Sequence, residues 1–226
     1  MTDANKENFV AIFDVLGFRD LCAAAATPGE VQHLLFMLKT LRKAADSTGI
    51  TAIQYSDSIL LYTAGTDSSD FNNLVQEVAY LIAGTLRRGI RIRGGITRGP
   101  FAHDADRRAF AGPALVRAHE LEQQQEWIGA IVDPHLARRP ELEDAIIERL
   151  QDGLLMAYPA PLKVGGVGDL LCVGWPLAYE GKYDGLRASL DDGGSWDVMR
   201  KVHNTRQFVC AWLKAQDPSR ASQFDG

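Results

Sequence analysis

Only three of the 226 residues are cysteine, Cys22, Cys172 and Cys210; they are widely spaced and no CxxC occurs. That excludes a disulfide framework and a cysteine-built zinc site, and it fits a reducing compartment. No apolar run approaches the ~20 residues that a membrane span needs. The opening MTDANKENF is polar and lacks the apolar core of a signal peptide. We therefore expect a cytoplasmic protein with no membrane partner. Basic residues are not in excess: the net charge is −5, which argues against a nucleic-acid partner, since that needs a basic face. Neither GxGxxG nor GxxxxGK[ST] is present, so a doubly wound dinucleotide fold and a P-loop have no support. The histidines (His33, His103, His119, His135, His203) have no ligand spacing, and no Ser–His–Asp order is suggested.

What is present is an ordinary globular composition, 46% apolar and 23% charged, enough for one domain with a modest appendage. FVAIFD (9–14) is a short apolar run with strand character, followed by a glycine turn and a helical stretch. Val31, Leu34, Leu35, Leu38 and Leu41 make a helical stripe over 29–45. ITAIQYSDSILLYT (50–63) is two strands joined by a tight turn at Ser56, Asp57 and Ser58. A helix over about 70–88 faces inward with Leu74, Val78, Leu81 and Ile82. A strand at 89–97, a hairpin at 99–111, a helix at 112–124 opened by glycine and proline, and a strand at 127–133 follow. Beyond these come a helix at 140–151, two strands in 153–176, a loop-like 181–195 and an amphipathic helix at 195–216. The order β–α–ββ–α–β–hairpin–α–β predicts an α+β fold: a mostly antiparallel, ferredoxin-like sheet with helices on one face. We divide it as a main domain, 1–176, with a C-terminal loop and helix, 177–226, packed on it.

Two acids interrupt this pattern. Asp14 ends the first strand, and Asp57 sits in the turn of the first hairpin. A buried carboxylate without a partner is costly. In a β–α–ββ unit the hairpin lies beside the first strand, which brings the two acids together. Two carboxylates there make a hard oxygen site suited to Mg²⁺ or Mn²⁺. Gly17 and Phe18, on the strand-to-helix turn, aim backbone amides at the same place, as an anion site. Metal ions and amides converging on one spot are equipment for handling a triphosphate. Each acid read alone is an ordinary turn or cap residue.

Five stretches in order resemble the class III nucleotide cyclases: FDVLGF (13–18), YSDSILLY (55–62), IRIRGGITRGP (90–100), FAGPALVRAHELE (110–122) and GVGDLL (166–171). The resemblance covers about 9–133, and 153–175 more loosely. It implies Asp14 and Asp57 as ligands of two Mg²⁺ or Mn²⁺ ions, with the Val15 carbonyl as a backbone ligand. Leu16, Gly17 and Phe18 would give amides to the triphosphate. The implied reaction is closure of a nucleoside triphosphate to its 3′,5′-cyclic monophosphate with release of pyrophosphate. It also implies a head-to-tail homodimer with composite sites.

The chain departs from the family pattern where its helix carries an Asn and an Arg. Val116 and Glu120 stand at those positions, and Arg117 is the adjacent candidate for the catalytic arginine. Ile53 replaces the purine-selecting lysine, Lys163 is the lysine nearest the closing hairpin, and Tyr55 stands beside the metal turn. With these changes the chain is similar to the pyrimidine cyclases of bacterial anti-phage systems (Pycsar), which implies a UTP or CTP substrate and a separate cyclic-nucleotide-sensing effector. Tyr55, stacking on or bonding a small base, favours UTP; it is equally readable as a cross-strand aromatic. Arg91 and Arg93 share a strand face with Gly95 and Thr97. Arg93 is a candidate for phosphate or base, and alternatively part of a solvated face or dimer salt bridge. Other readings remain open: a purine cyclase making cyclic AMP, a non-catalytic nucleotide-binding module on this scaffold, and a dinucleotide cyclase, for which the GG[DE]EF hairpin is missing.

Overall fold

The computed structural model describes residues 6–32, 49–104, 109–164, 167–180, 182–190 and 196–221. Strand β1 (Glu7–Val15) is an interior strand, third in order, of a seven-stranded sheet. Its flanks are β3 (Ser58–Thr63) and β4 (Ile92–Pro100), both antiparallel to it. The strand order is β2-β3-β1-β4-β7-β9-β8, where β2 is Ile50–Tyr55, β7 Gly129–Val132, β8 Leu155–Pro161 and β9 Val167–Val173. Among the described residues, only β4 and β7 pair in parallel. The sheet is mostly antiparallel and open, as the element order predicts. Strands β5 (Ala102–Asp104) and β6 (Ala109–Ala111) pair antiparallel apart from the main sheet, within the stretch expected as a hairpin.

Because β1 is covered on both sides, it is apolar almost throughout rather than alternating. Phe9, Ala11, Phe13 and Val15 enter the main core. There α2 (Ser68–Leu86) lays down Phe71, Leu74, Val75, Val78 and Ile82, all buried. Its start is a capping box, in which the Asp67 side chain accepts from Asp70 N while Asp70 reaches back to the Asp67 N–H. Val10 and Ile12 face the other way, into a smaller cluster with Leu60, Phe101, Ala114 and Ala118. The last two belong to α3 (Pro113–Gln123). Helices therefore cover both faces, not one. Gly95 makes this possible: a Cβ there would stand 2.5 Å from Leu121 Cβ and 3.0 Å from the Ala118 carbonyl, so only glycine lets α3 sit directly on β4.

Helix α1 (Phe18–Ala24) follows β1, and residues 28–32 are helical. The rest of the expected 29–45 helix lies outside the described residues. Helix α4 (Glu143–Gln151) follows a 3₁₀ turn at Pro140–Leu142. The stretch 181–195, expected as loop, contains α5 (Tyr183–Ser189). Tyr183, Leu186 and Leu190 have helical spacing and are buried; the glycines around them hide the pattern. Helix α6 (Trp196–Gln216) is fixed by Trp212 Nε1, which donates to the Gly153 carbonyl at 2.8 Å, and by Thr205 Oγ1, which accepts from Ile128 N at 2.8 Å. No helix among the described residues is long and apolar enough to cross a membrane.

Candidate metal and nucleotide site

Strand pairing sets the corner where the two acids stand. Asp14 is the cross-strand partner of Ser58, and Tyr55 pairs with Ser58 to close the two-residue turn Ser56–Asp57. Ser56 takes a positive φ of 53° there, a strained choice for a non-glycine residue. The Val15 amide donates to the Asp57 carbonyl at 3.1 Å. The end of β1 and the hairpin turn are thus joined through the backbone.

The two carboxylates interact. The Asp14 carboxyl is pushed up to about 6, first by burial and then by the negative charges of Glu122 and Asp57. Arg93 and His119 offset only part of this. Among the described residues the Asp14 carboxylate makes no hydrogen bond or ion pair. A half-buried acid left among like charges is a group short of a cation. No set of three His, Cys, Asp or Glu side chains converges in metal-holding geometry among the described residues. The acids at this corner are two, Asp14 and Asp57, so a cation held there would draw two side-chain donors. That fits Mg²⁺ or Mn²⁺, which keep water or phosphate oxygens in their remaining positions. Val15, the last residue of β1, is buried beside both acids.

Of the three amides expected to face a triphosphate, Leu16 is already engaged: its N–H donates to the Arg91 carbonyl at 2.8 Å. Gly17, at φ 73°, and Phe18 open α1, and their N–H groups carry no partner among the described residues.

Asp14 lines a polar cavity of about 580 Å³ with Arg93, Glu122, His119, Gln123 and Lys163. The Lys163 amide donates to the Gln124 carbonyl at 2.7 Å, which ties the closing hairpin to the end of α3. Arg93 is not on a solvated face: it is buried under α3. Its Nε meets Glu122 Oε1 at 2.6 Å and its Nη1 donates to the Gln125 carbonyl at 2.7 Å. Nη2 has no partner among the described residues.

A second cavity, about 310 Å³, is apolar and is walled by Ile12, Ile53, Leu60, Leu115, Val116 and Tyr55. His119 lines both cavities. Tyr55 is 75% exposed at its rim and Val116 59% exposed. Tyr55 therefore projects from the end of β2 rather than packing as an interior cross-strand aromatic.

Arg117 lies apart from both cavities. Its Nε and Nη2 clamp the buried Asp133 at 2.9 and 3.2 Å, and Nη1 reaches Glu120 at 3.4 Å. Burial raises the Asp133 carboxyl, but hydrogen bonds from Arg117, the His135 amide and Thr97 bring it net below the usual range. Glu122, His119 and Asp133 were not identified as functional candidates from sequence. A faint signal existed for the first two, the i, i+3 spacing of His119 and Glu122 on one helix; nothing local pointed to Asp133.

No protein-family model matches the sequence, and no curated protein matches it. Solved structures do. The adenylyl cyclase CyaB from P. aeruginosa aligns over 76% of this chain and 95% of its own, at 18% identity and TM-score 0.51. The guanylate cyclase domain of RhGC from Catenaria anguillulae, solved with GTP, aligns over 75% and 96%, at 14% identity and TM-score 0.52. A dimeric guanylyl cyclase domain from Blastocladiella emersonii aligns over 76% and 97%, at 14% identity and TM-score 0.54. The chain has the class III nucleotide cyclase fold. At these identities the likeness is one of fold, and the chemistry has to be argued from the corner at Asp14 and Asp57.

Proposed function

We propose that the chain is a metal-dependent nucleotide cyclase acting on a pyrimidine nucleoside triphosphate, UTP before CTP. The observation that carries this is the corner itself: Asp14, unpaired and short of a cation, beside Asp57, at the edge of a charged cavity. Asp14, Asp57 and the Val15 carbonyl would hold two Mg²⁺ or Mn²⁺ ions. When bound, such ions neutralise the phosphate oxygens and steady the leaving group.

The chain's own groups do the positioning. The Gly17 and Phe18 amides, the free Nη2 of Arg93 and the Lys163 ammonium are available to the triphosphate. The ribose 3′-hydroxyl gives its proton to water as its oxygen forms a bond to the α-phosphorus. The bond from that phosphorus to the β-phosphate bridge oxygen breaks, and pyrophosphate leaves with the electron pair. Tyr55 and the apolar cavity favour a small base held by contact.

The exposed Tyr55 and Val116 on an apolar groove favour a homodimer in which a second copy covers that groove. The reading takes the cytoplasm as its compartment. Its product would be a second messenger in anti-phage defence, read by a separate effector protein. Purified protein is incubated with Mn²⁺ and each of the four nucleoside triphosphates, and the products are identified by mass spectrometry. A 3′,5′-cyclic pyrimidine nucleotide is expected. Cyclic AMP as the main product would overturn the base assignment.

A second reading, a nucleotide-binding module without turnover, is favoured by one specific observation. Val116 and Glu120 occupy exposed positions where the family carries Asn and Arg, while Arg117 is committed to Asp133. Binding of a nucleoside triphosphate without release of pyrophosphate would support it.

A further inference from the structure

Directly opposed residues on one face of an antiparallel pair have Cβ atoms about 4.5–5.5 Å apart, and opposite charges placed there attract. Asp14 and Arg93 are such a pair, opposed across β1 and β4. The expected outcome is an ion pair at the end of the strand. It does not form. Arg93 turns to α3 instead, with Nε on Glu122 and Nη1 on the Gln125 carbonyl.

The cause is the burial of Glu122, whose side chain is 1% exposed. A carboxylate so deeply placed requires a hydrogen-bonded cation, and Arg93 is the guanidinium in reach. Gln125 completes the arrangement. Its Nε2 donates to the carbonyls of Gly94 and Leu121, both at 2.7 Å, and its Oε1 accepts from Trp127 Nε1 at 2.7 Å. The Gln125 backbone is thereby fixed where its carbonyl meets Arg93.

We infer that Glu122 is a positioning residue: by engaging Arg93 it keeps that guanidinium off Asp14 and leaves the Asp14 carboxylate open to a divalent cation. This rests on the metal-site reading above. Without Glu122, Arg93 would satisfy Asp14 itself and compete with the metal for the same oxygens. Arg93 itself lines the cavity that Asp14 lines, so one contact serves both groups.

The test is Mn²⁺ binding to the full chain, read by calorimetry and by the electron-paramagnetic-resonance signal of free Mn²⁺, with thermal unfolding as the fold control. Glu122→Gln is expected to weaken Mn²⁺ by about tenfold or more, the usual penalty for losing an outer-shell partner. Arg93→Gln combined with Glu122→Gln removes the competing guanidinium and is expected to bind Mn²⁺ as the wild type does. A merely structural Glu122 would not show that rescue. Unchanged affinity in Glu122→Gln, or a double variant as weak as the single one, overturns the inference. If Glu122→Gln does not fold, the neutral double variant alone decides: wild-type affinity supports the inference and weak binding contradicts it. A wild-type protein that takes up no Mn²⁺ overturns the metal reading itself, which separates that failure from this one.

Discussion

The Val15 amide donates to the Asp57 carbonyl at 3.1 Å. This one backbone bond staples the end of the first strand to the turn of the first hairpin, and it sets Asp57 next to Asp14. The charge coupling between the two acids follows from it. One carboxyl is held up by burial and by its neighbours, while nothing among the described residues pairs with it.

Metal uptake should depend on pH through Asp14. With its carboxyl at about 6, the metal-free site below that pH holds a proton that a cation must displace. Mn²⁺ affinity should therefore weaken by up to about tenfold per unit as pH falls below 6, and level off above it. Calorimetry between pH 5 and 8, in buffers of different ionisation heat, measures the released proton. A flat profile would contradict the assignment.

The same group makes a stability prediction of opposite sense. An acid whose folded value lies above its unfolded value binds its proton more tightly when folded. The metal-free fold should lose stability as pH rises from about 4 to above 6. Asp14→Asn removes that burden, so at pH 7.5 its melting temperature without metal should exceed that of the wild type by about 2 °C or more. Thermal unfolding in the presence of a chelator checks this.

Asp133 serves the fold through Arg117, Thr97 and the His135 amide. Asp133→Ala would leave the Thr97 hydroxyl and the Arg117 guanidinium without their acceptor. We expect a loss of about 2–3 kcal/mol, below the full penalty for a broken buried pair because Arg117 reaches solvent. Asp133 is held net below its ordinary value, so its contribution is present above the unfolded carboxylate pKa and disappears as pH falls through the folded one. Denaturant unfolding at pH 7 and at pH 3 should show the variant's deficit shrinking in acid.

Val116 and Tyr55 test the assembly. Both are exposed on the apolar groove, so Val116→Glu should leave the melting temperature of the monomer within about 2 °C of wild type, as surface changes do. If a second copy covers the groove, the same change should shift the protein to monomer in sedimentation velocity and lower turnover with it. A dimer of unchanged affinity would exclude this face as the interface.

Much of the fold was legible in the sequence because it rests on local pattern. The apolar run 9–14, the paired runs around Ser56–Asp57 and the inward stripe of Leu74, Val78, Leu81 and Ile82 each carry their own periodicity. The placing of the first hairpin beside β1 was legible too, since a hairpin returning beside its strand allows few registers. The side on which α3 packs was not, because it depends on Gly95 giving way to Leu121 across the sheet. The charge pairs were illegible for a related reason. Arg93 and Glu122 are 29 residues apart, and Arg117 and Asp133 are 16 apart. Long-range ion pairs leave no periodic trace. Arg93 therefore read as a solvated or phosphate-facing arginine, when its first partner is a buried carboxylate.

The most direct test of the account is Asp57→Ala in the assay with Mn²⁺ and each nucleoside triphosphate. Asp57 sits in a surface turn and makes no side-chain hydrogen bond among the described residues, so the variant should fold and melt as the wild type does. Wild-type protein should release pyrophosphate and a 3′,5′-cyclic pyrimidine nucleotide, and Asp57→Ala should lose more than about 100-fold of that rate, beyond what losing an outer-shell partner costs. Equal turnover in the two proteins, or no pyrophosphate from the wild type with any of the four substrates, would contradict it.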